Sequence, residues 1–161
     1  MSKETKTNAM RILDKNKIPY ELLTYECDEF IDGLHTAAKT GAPVEQSFKT
    51  LVAQGKSKAY YVFVVPIAEE VDLKKAAKTA GEKSVEMIHV KDINAVTGYI
   101  RGGCSQVGMK KKYITTYHET AQYQAEIMVS GGKIGTQIAC KPDDLIRVTD
   151  GQYADICKDE S

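Results

Sequence analysis

The stretch from residue 96 to 108, VTGYIRGGCSQVG, constrains this chain more than any other. It holds four of the twelve glycines, with Thr97, Cys104 and Ser105 among them. Such a run is too broken for a regular helix or a central strand. Glycine is placed where the backbone takes positive φ or lets another group approach closely. A loop of this kind offers amide N–H donors to an anion or a carbonyl oxygen, and it serves equally as a plain connection. A second stretch of the same character, residues 129–137 (VSGGKIGTQ), packs three glycines into five residues beside Ser130. A hairpin turn needs one glycine, seldom three. Two hydroxyl-bearing glycine loops in one small chain point to a binding site.

The rest of the chain supplies ordinary folding material. At 161 residues and 42% hydrophobic, it is long enough for one domain with a real core. Its 22 basic and 22 acidic residues balance, so no global field draws it to nucleic acid, although a local basic patch would suffice. The most apolar run, residues 59–67, is strand-sized and no membrane span is expected. With no apolar signal core at the N-terminus, a cytoplasmic location is expected. Cys27, Cys104, Cys140 and Cys157 form no CxxC pair, and His35, His89 and His118 complete no metal-ligand spacing. Reduced thiols, no metal and no cofactor are the expectation.

In chain order, Thr5 or Thr7 caps a helix ending near Asn16, and residues 20–25 alternate as a strand. Residues 26–32 read as an acidic loop, 33–40 as a short helix, and Pro43 as the first turn of another. Residues 47–53 and 59–65, joined by a polar turn, form a hairpin stopped by Pro66. Asp72 caps a helix over residues 73–80 that ends at Gly81. Strands are predicted at 85–90, 113–116, 123–129, 134–140 and 153–157. Asp92 starts a helical turn, and Pro142, Asp143 and Asp144 open a last helix whose positive end suits the two acids. The pattern is α+β with one mixed, strongly curved sheet.

Lys49 is the least expected residue in its place, a lysine within the strand-like run Phe48-Lys49-Thr50-Leu51-Val52. It is either a side chain snorkelling from an edge strand or a cation at a cleft wall, aimed at a carbonyl or phosphate. Lys110, Lys111 and Lys112, with Lys74, Lys75 and Lys78, form either a phosphate-binding rim or a solvated face. Cys104 would serve as a nucleophile only with a base nearby, and no histidine neighbours it in sequence.

These residues carry a resemblance. Phe48-Lys49-Thr50-Leu51, Leu73-Lys74-Lys75 after Val65-Pro66, Val96-Thr97-Gly98-Tyr99 with Gly102-Gly103, Gly108 and Lys110-Lys111, and Val129-Ser130-Gly131-Gly132-Lys133 resemble the YbaK/EbsC family. The closing Tyr153-Ala154-Asp155-Ile156 fits too, so the resemblance spans residues 5–157 of a single domain over 1–161. It implies a partly open, mixed β-barrel with flanking helices, no metal or cofactor, and hydrolysis of the ester joining a wrong amino acid to tRNA. Within the family the chain is most similar to the free-standing deacylases of Cys-tRNA(Pro), some acting on Cys-tRNA(Cys), which edit in trans. The implied partners are the tRNA acceptor end and prolyl-tRNA synthetase. Lys49 falls on the family's critical lysine. Gly98, Gly102 and Gly103 fall on the loop whose backbone holds the aminoacyl group, and Tyr20 and Ser130 on pocket positions. Gln137 stands where close relatives have an aspartate, and residues 27–35 also depart from the cysteine-specific pattern. A deacylase for another amino acid, such as alanine on tRNA(Pro), a non-catalytic aminoacyl-tRNA or synthetase-binding module, and a Cys104-dependent hydrolase stay open.

Overall fold

The computed structural model describes residues 6–24, 43–101 and 103–159. Among them are four α-helices and eight strands in two sheets, a mixed α+β fold. The expected loop at 26–32, the helix at 33–40 and Tyr25 lie outside the described residues. No helix among the described residues is long and apolar enough to cross a membrane.

Helix α1 (Asn8–Lys15) starts at Thr7, whose hydroxyl accepts the Met10 amide at 3.2 Å, and buries Ala9, Met10 and Leu13. Strand β1 (Glu21–Thr24) follows. Strands β2 (Phe48–Gly55) and β3 (Tyr60–Pro66) form the expected antiparallel hairpin, with Phe48 opposite Pro66. Helix α2 (Leu73–Ala80) is capped by the Asp72 carboxylate, which accepts from the amides of Lys74 and Lys75, and stops at Gly81 at φ 75°. A cap of this kind stabilises a helix by about 1 kcal/mol. Strand β4 (Val85–Met87), helix α3 (Ile93–Thr97) and strand β5 (Ile114–His118) come next. Strands β6 (Ile127–Ser130) and β7 (Thr136–Cys140), helix α4 (Pro142–Thr149) and strand β8 (Gln152–Ala154) complete the fold.

The strands do not merge into the single sheet expected. One sheet has five strands in the order β4-β2-β3-β5-β8, antiparallel through β3 and parallel beyond it. The other has three antiparallel strands, β1-β7-β6. The β6–β7 hairpin takes β1 as its third strand and touches the larger sheet through one parallel bridge, Ser47 to Met128. No closed barrel forms among the described residues.

Alternation along β2 and β3 divides the core. Phe48, Val52, Val62 and Val64 face α1, α4 and the smaller sheet, meeting Leu13, Leu145, Ile127, Val129 and Ile138. Ala53, Tyr61, Phe63 and Val65 face α2 through Ala76 and Ala77. Fully burying one such Val, Leu, Ile or Phe side chain is worth about 1.5–3 kcal/mol. With both faces covered, β3 reads as a continuous apolar run, which is why residues 59–67 were so conspicuous in the sequence.

Three strands differ most from their predicted bounds. Residues 90–92 form a 3-10 turn, so β4 stops at Met87. Residues 119–123 form another, leaving Tyr123 76% exposed. There β6 can begin only at Ile127, opposite Cys140, because Pro142 diverts the partner strand into α4. Strand β8 ends at Ala154, and Cys157 makes only an isolated bridge to Val71.

Candidate active site

The bridge between the two sheets fixes the position of Lys49. Ser47 pairs with Met128 in a parallel sense, and two residues further along each strand the period-2 alternation puts Lys49 on the same side as Ser130. Ser130 is opposite Gln137 on β7, and Gln137 is opposite Leu23 on β1. Lys49, Ser130, Gln137 and Leu23 thus form one row across four strands. Their neighbours Phe48, Val129, Ile138 and Leu22 point the other way, into or against the core. All four residues of the row are half-buried. At this point β2 borders β3 and, through the Ser47 bridge, β6, so Lys49 is not a snorkelling lysine on an outer edge.

The row is polar and poorly satisfied from within. No hydrogen bond or ion pair to a described residue holds the Lys49 ammonium, although its charge reaches Glu70 and Cys157. The Glu70 carboxyl lies below its ordinary value, first through its bond with Lys158 and only lastly through Lys49. Gln137 Oε1 is buried without a hydrogen-bond partner among the described residues. A buried acceptor left unpaired costs about 1–3 kcal/mol. Ser130 Oγ accepts the Gly132 amide at 3.2 Å, which leaves its own proton to donate.

Both glycine loops close against this region. The first begins where α3 ends at Gly98, at φ 87°. Thr97 Oγ1 accepts the Tyr99 amide at 3.0 Å, and the Tyr99 hydroxyl donates to Val107 O at 2.6 Å, closing the loop on itself. The loop is tied to β2 by Thr50 Oγ1, which donates to Gln106 Oε1 at 3.2 Å. Gly103 packs on the second loop so closely that a Cβ there would meet Lys133 Cα at 2.7 Å and Ile134 N at 2.9 Å. The second loop is held in turn by Thr7, whose hydroxyl donates to Gly131 O.

The expected site residues are not all used as anticipated. The Gly98 amide donates to Asn94 O of α3 at 2.8 Å and the Gly103 amide to Ile100 O at 2.9 Å, so the first is engaged by the helix end and the second within the loop. Gly102 lies outside the described residues. Tyr20 belongs to the opposite face of the smaller sheet, where it lines a cavity of about 140 Å3 with Lys6, Met10, Leu22, Lys133 and Thr136. Burial pushes the Cys104 thiol up to about 11, against a small opposing effect of the Thr97 hydroxyl. It is a poor source of thiolate near neutral pH. Of the basic residues, Lys75 is paired with Asp155 and Asp159, and Lys112 with Asp150, so neither stands ready for phosphate. Asp143 and Asp144 occupy the first turn of α4, as expected of helix N-terminal charge.

Sequence reasoning singled out Lys49, Ser130 and Gln137 but not that they share one row, nor that Leu23 belongs to it. Strand parity held part of the signal, since Ser47 with Lys49 and Met128 with Ser130 have matching period-2 spacing. The pairing of β2 with β6 has no mark in a single sequence.

Comparison with known proteins identifies the family and the fold. A family model described as the aminoacyl-tRNA editing domain matches residues 34–148. A curated protein of Enterococcus faecalis (strain ATCC 700802 / V583), named "Putative Cys-tRNA(Pro)/Cys-tRNA(Cys) deacylase EbsC", is 44% identical over 158 residues, covering 98% of this chain and 96% of its own. A solved structure described as "a putative trans-editing enzyme for prolyl tRNA synthetase" has the same fold, with a TM-score of 0.83 at 22% identity over 94% of this chain and 96% of that one. Another, of "hypothetical protein APE2540", gives a TM-score of 0.86 at 18% identity over 94% and 99%. The extent of the family match and the full-length similarity to the curated relative establish that the chain belongs to the aminoacyl-tRNA editing domain family.

Proposed function

We propose that this protein is a deacylase that edits mischarged tRNA in trans, with cysteinyl-tRNA(Pro) as its principal substrate and cysteinyl-tRNA(Cys) as a second. The observation that carries the reading is the row Lys49, Ser130 and Gln137, a cation, a hydroxyl donor and an unpaired buried acceptor on one half-buried face. The curated relative's name supports the amino acid and the tRNA.

The chemistry follows from what the row contains. An ester carbonyl gains negative charge as it is attacked, and a fixed cation and hydroxyl beside it stabilise that charge. Lys49 holds the ester and neighbouring ribose or phosphate oxygens in register, and Ser130 donates to the ester. Gln137 Oε1 accepts from the α-ammonium of the aminoacyl group. The row itself holds no cysteine or histidine, and the attacking group in this reading is the cysteine thiolate of the substrate itself. Its thiol gives up a proton, the C–S bond forms, the C–O bond to the ribose breaks, and the ribose oxygen is protonated. The products are a cyclic thioester and free tRNA. No step needs a metal or an organic cofactor.

With 22 charges of each sign, the chain binds isolated tRNA weakly, chiefly through phosphates at the acceptor end. Choice of tRNA then rests on a partner, prolyl-tRNA synthetase, which binds the same tRNA in the cytoplasm. The single bridge joining the sheets supports reading them as two parts of a partly open barrel whose seam carries the row.

The test is deacylation of a panel of tRNAs carrying cysteine, serine, alanine and proline. Cysteine should be released much faster than serine, since a hydroxyl is a far poorer nucleophile near neutral pH. Equal rates on cysteine and serine would replace the substrate thiol by an activated water. A preference for alanine would assign the protein to alanyl-tRNA(Pro), and binding without release would make it a non-catalytic module.

A further inference from the structure

Next to the Lys49 end of this row, whose charge reaches Cys157, three side chains with metal-binding chemistry are brought together by segments far apart in sequence. Glu69 lies on the bend after β3, His118 is the last residue of β5, and Cys157 forms the isolated bridge with Val71. One ligand atom from each lies within 4.8 Å of the other two. His118 and Cys157 are 5% and 2% exposed, so solvent is largely excluded from two of the three. We propose that Glu69, His118 and Cys157 bind a divalent cation of borderline softness, such as Zn2+, which clamps the C-terminal segment to the central sheet.

Three arguments support the site. The donor set combines a thiolate, an imidazole nitrogen and a carboxylate oxygen, the three ligand types zinc takes, and leaves a fourth position for water. Zinc bonds of about 2.0–2.3 Å set neighbouring ligand atoms roughly 3.3–3.8 Å apart in a tetrahedron, so the cluster must tighten by about an ångström. Glu69 can supply that movement, because its bend is partly exposed and is held by its amide bond to Pro66 O at 3.1 Å. The third argument is the ring of His118, whose Nδ1 accepts the Ile156 amide over a long 3.3 Å. That bond leaves the lone pair on Nδ1, facing the residue next to Cys157. A cation taking the lone pair requires no change of tautomer, but it displaces the buried Ile156 amide at a cost of about 1–3 kcal/mol that the metal bonds must exceed.

The site also has a structural purpose. The C-terminal segment is also held by the burial of Ile156 and Cys157 in the core, the Asp72 amide to Ile156 O at 2.8 Å, the Lys158 amide to Glu70 O at 2.9 Å, the Lys75 ammonium to Cys157 O at 2.9 Å, and exposed pairs from Lys75 and Lys158. Exposed pairs contribute little. A cation shared by β5, the bend after β3 and the C-terminus would fix all three at once. Binding to the folded state alone raises stability by mass action.

The test uses the full-length protein, stripped with chelator and titrated with Co2+. One equivalent should bring up a thiolate-to-cobalt charge-transfer band, Zn2+ should displace it and raise the melting temperature, and the Ile156 amide resonance should shift. Cys157→Ser should abolish the band, and Glu69→Gln and His118→Gln should each weaken binding about tenfold or more. Cys104→Ser should leave it unchanged. A folded protein without the band would overturn the proposal, as would a band that survives Cys157→Ser or is lost with Cys104→Ser. If the buried variants do not fold, Glu69→Gln decides alone, and an unchanged cobalt affinity rejects the site. None of these readouts involves deacylation, so the outcome is independent of the proposed activity.

Discussion

Replacing Gly103 by alanine tests the junction of the two glycine loops. The added Cβ would lie 2.7 Å from Lys133 Cα and 2.9 Å from the backbone of the next residue, and neither neighbour is a side chain that can swing aside. An ordinary contact needs at least 3.4 Å, so the loops must part by roughly 0.7 Å, and overpacking of this kind costs about 1–3 kcal/mol. The same displacement moves Ser130, three residues before Lys133 and part of the same turn, relative to Lys49. A misplacement of about 1 Å at a reacting centre costs on the order of 100-fold in rate. Gly81→Ala is the control. Gly81 also has positive φ, at 75°, but nothing lies within 4 Å of its added Cβ. It should lose about 1 kcal/mol from backbone strain and no activity. Urea unfolding of both variants beside single-turnover deacylation separates the two effects. A Gly103→Ala protein as stable and as active as the parent would show that the loops do not rest on each other as described.

Three other outcomes are expected. Gln137→Met removes a buried acceptor with no partner among the described residues, so it should leave stability unchanged or raise it by about 1 kcal/mol while lowering turnover; a clear loss of stability in thermal melts would mean the amide is satisfied within the fold. Cys104→Ala should retain activity, and in the parent Cys104 should alkylate slowly near neutral pH and faster as pH rises towards about 11; rapid labelling at pH 7 would contradict its burial. The Glu82 carboxyl, held below its ordinary value by Ser57 and then Tyr61, contributes stability that is present above the unfolded-state pKa and lost as pH falls through the lower folded value. Urea midpoints between pH 3 and 6 should therefore drop less steeply on the acid side in Glu82→Gln, and identical slopes would show that the carboxylate does not tie the β2–β3 turn to the end of α2.

Most of the local structure could be read from the sequence, and the reason is chemical. Thr7, Asp72 with Gly81, and Pro142 cap or open their helices through their own backbone neighbourhoods, so α1, α2 and α4 fall close to their predicted bounds. The hairpin of β2 and β3 is equally local. Residues 123–129 misled because their β-rich composition does not reveal that the partner strand ends at Pro142. The division into two sheets depends on β1 choosing β7, a long-range pairing without a local mark. The site divides the same way. Lys49 is conspicuous alone, as a lysine in an apolar strand, whereas its alignment with Ser130 and Gln137 exists only through the Ser47–Met128 bridge. The engagement of the Gly98 amide by the end of α3 and of the Gly103 amide within the loop was likewise invisible, because a glycine-rich loop looks the same whether its amides face inward or out.

The central claim is that the row led by Lys49 faces the aminoacyl ester, and the most direct measurement is the single-turnover release of cysteine from cysteinyl-tRNA(Pro) by Lys49→Ala. Lys49 makes no hydrogen bond or ion pair with a described residue, so its loss should leave the melting temperature nearly unchanged. Removing a positioned charge-stabilising donor costs about 100- to 1000-fold in rate. The account predicts a fall of at least about 100-fold in a folded protein. A rate within two- or threefold of the parent would contradict it.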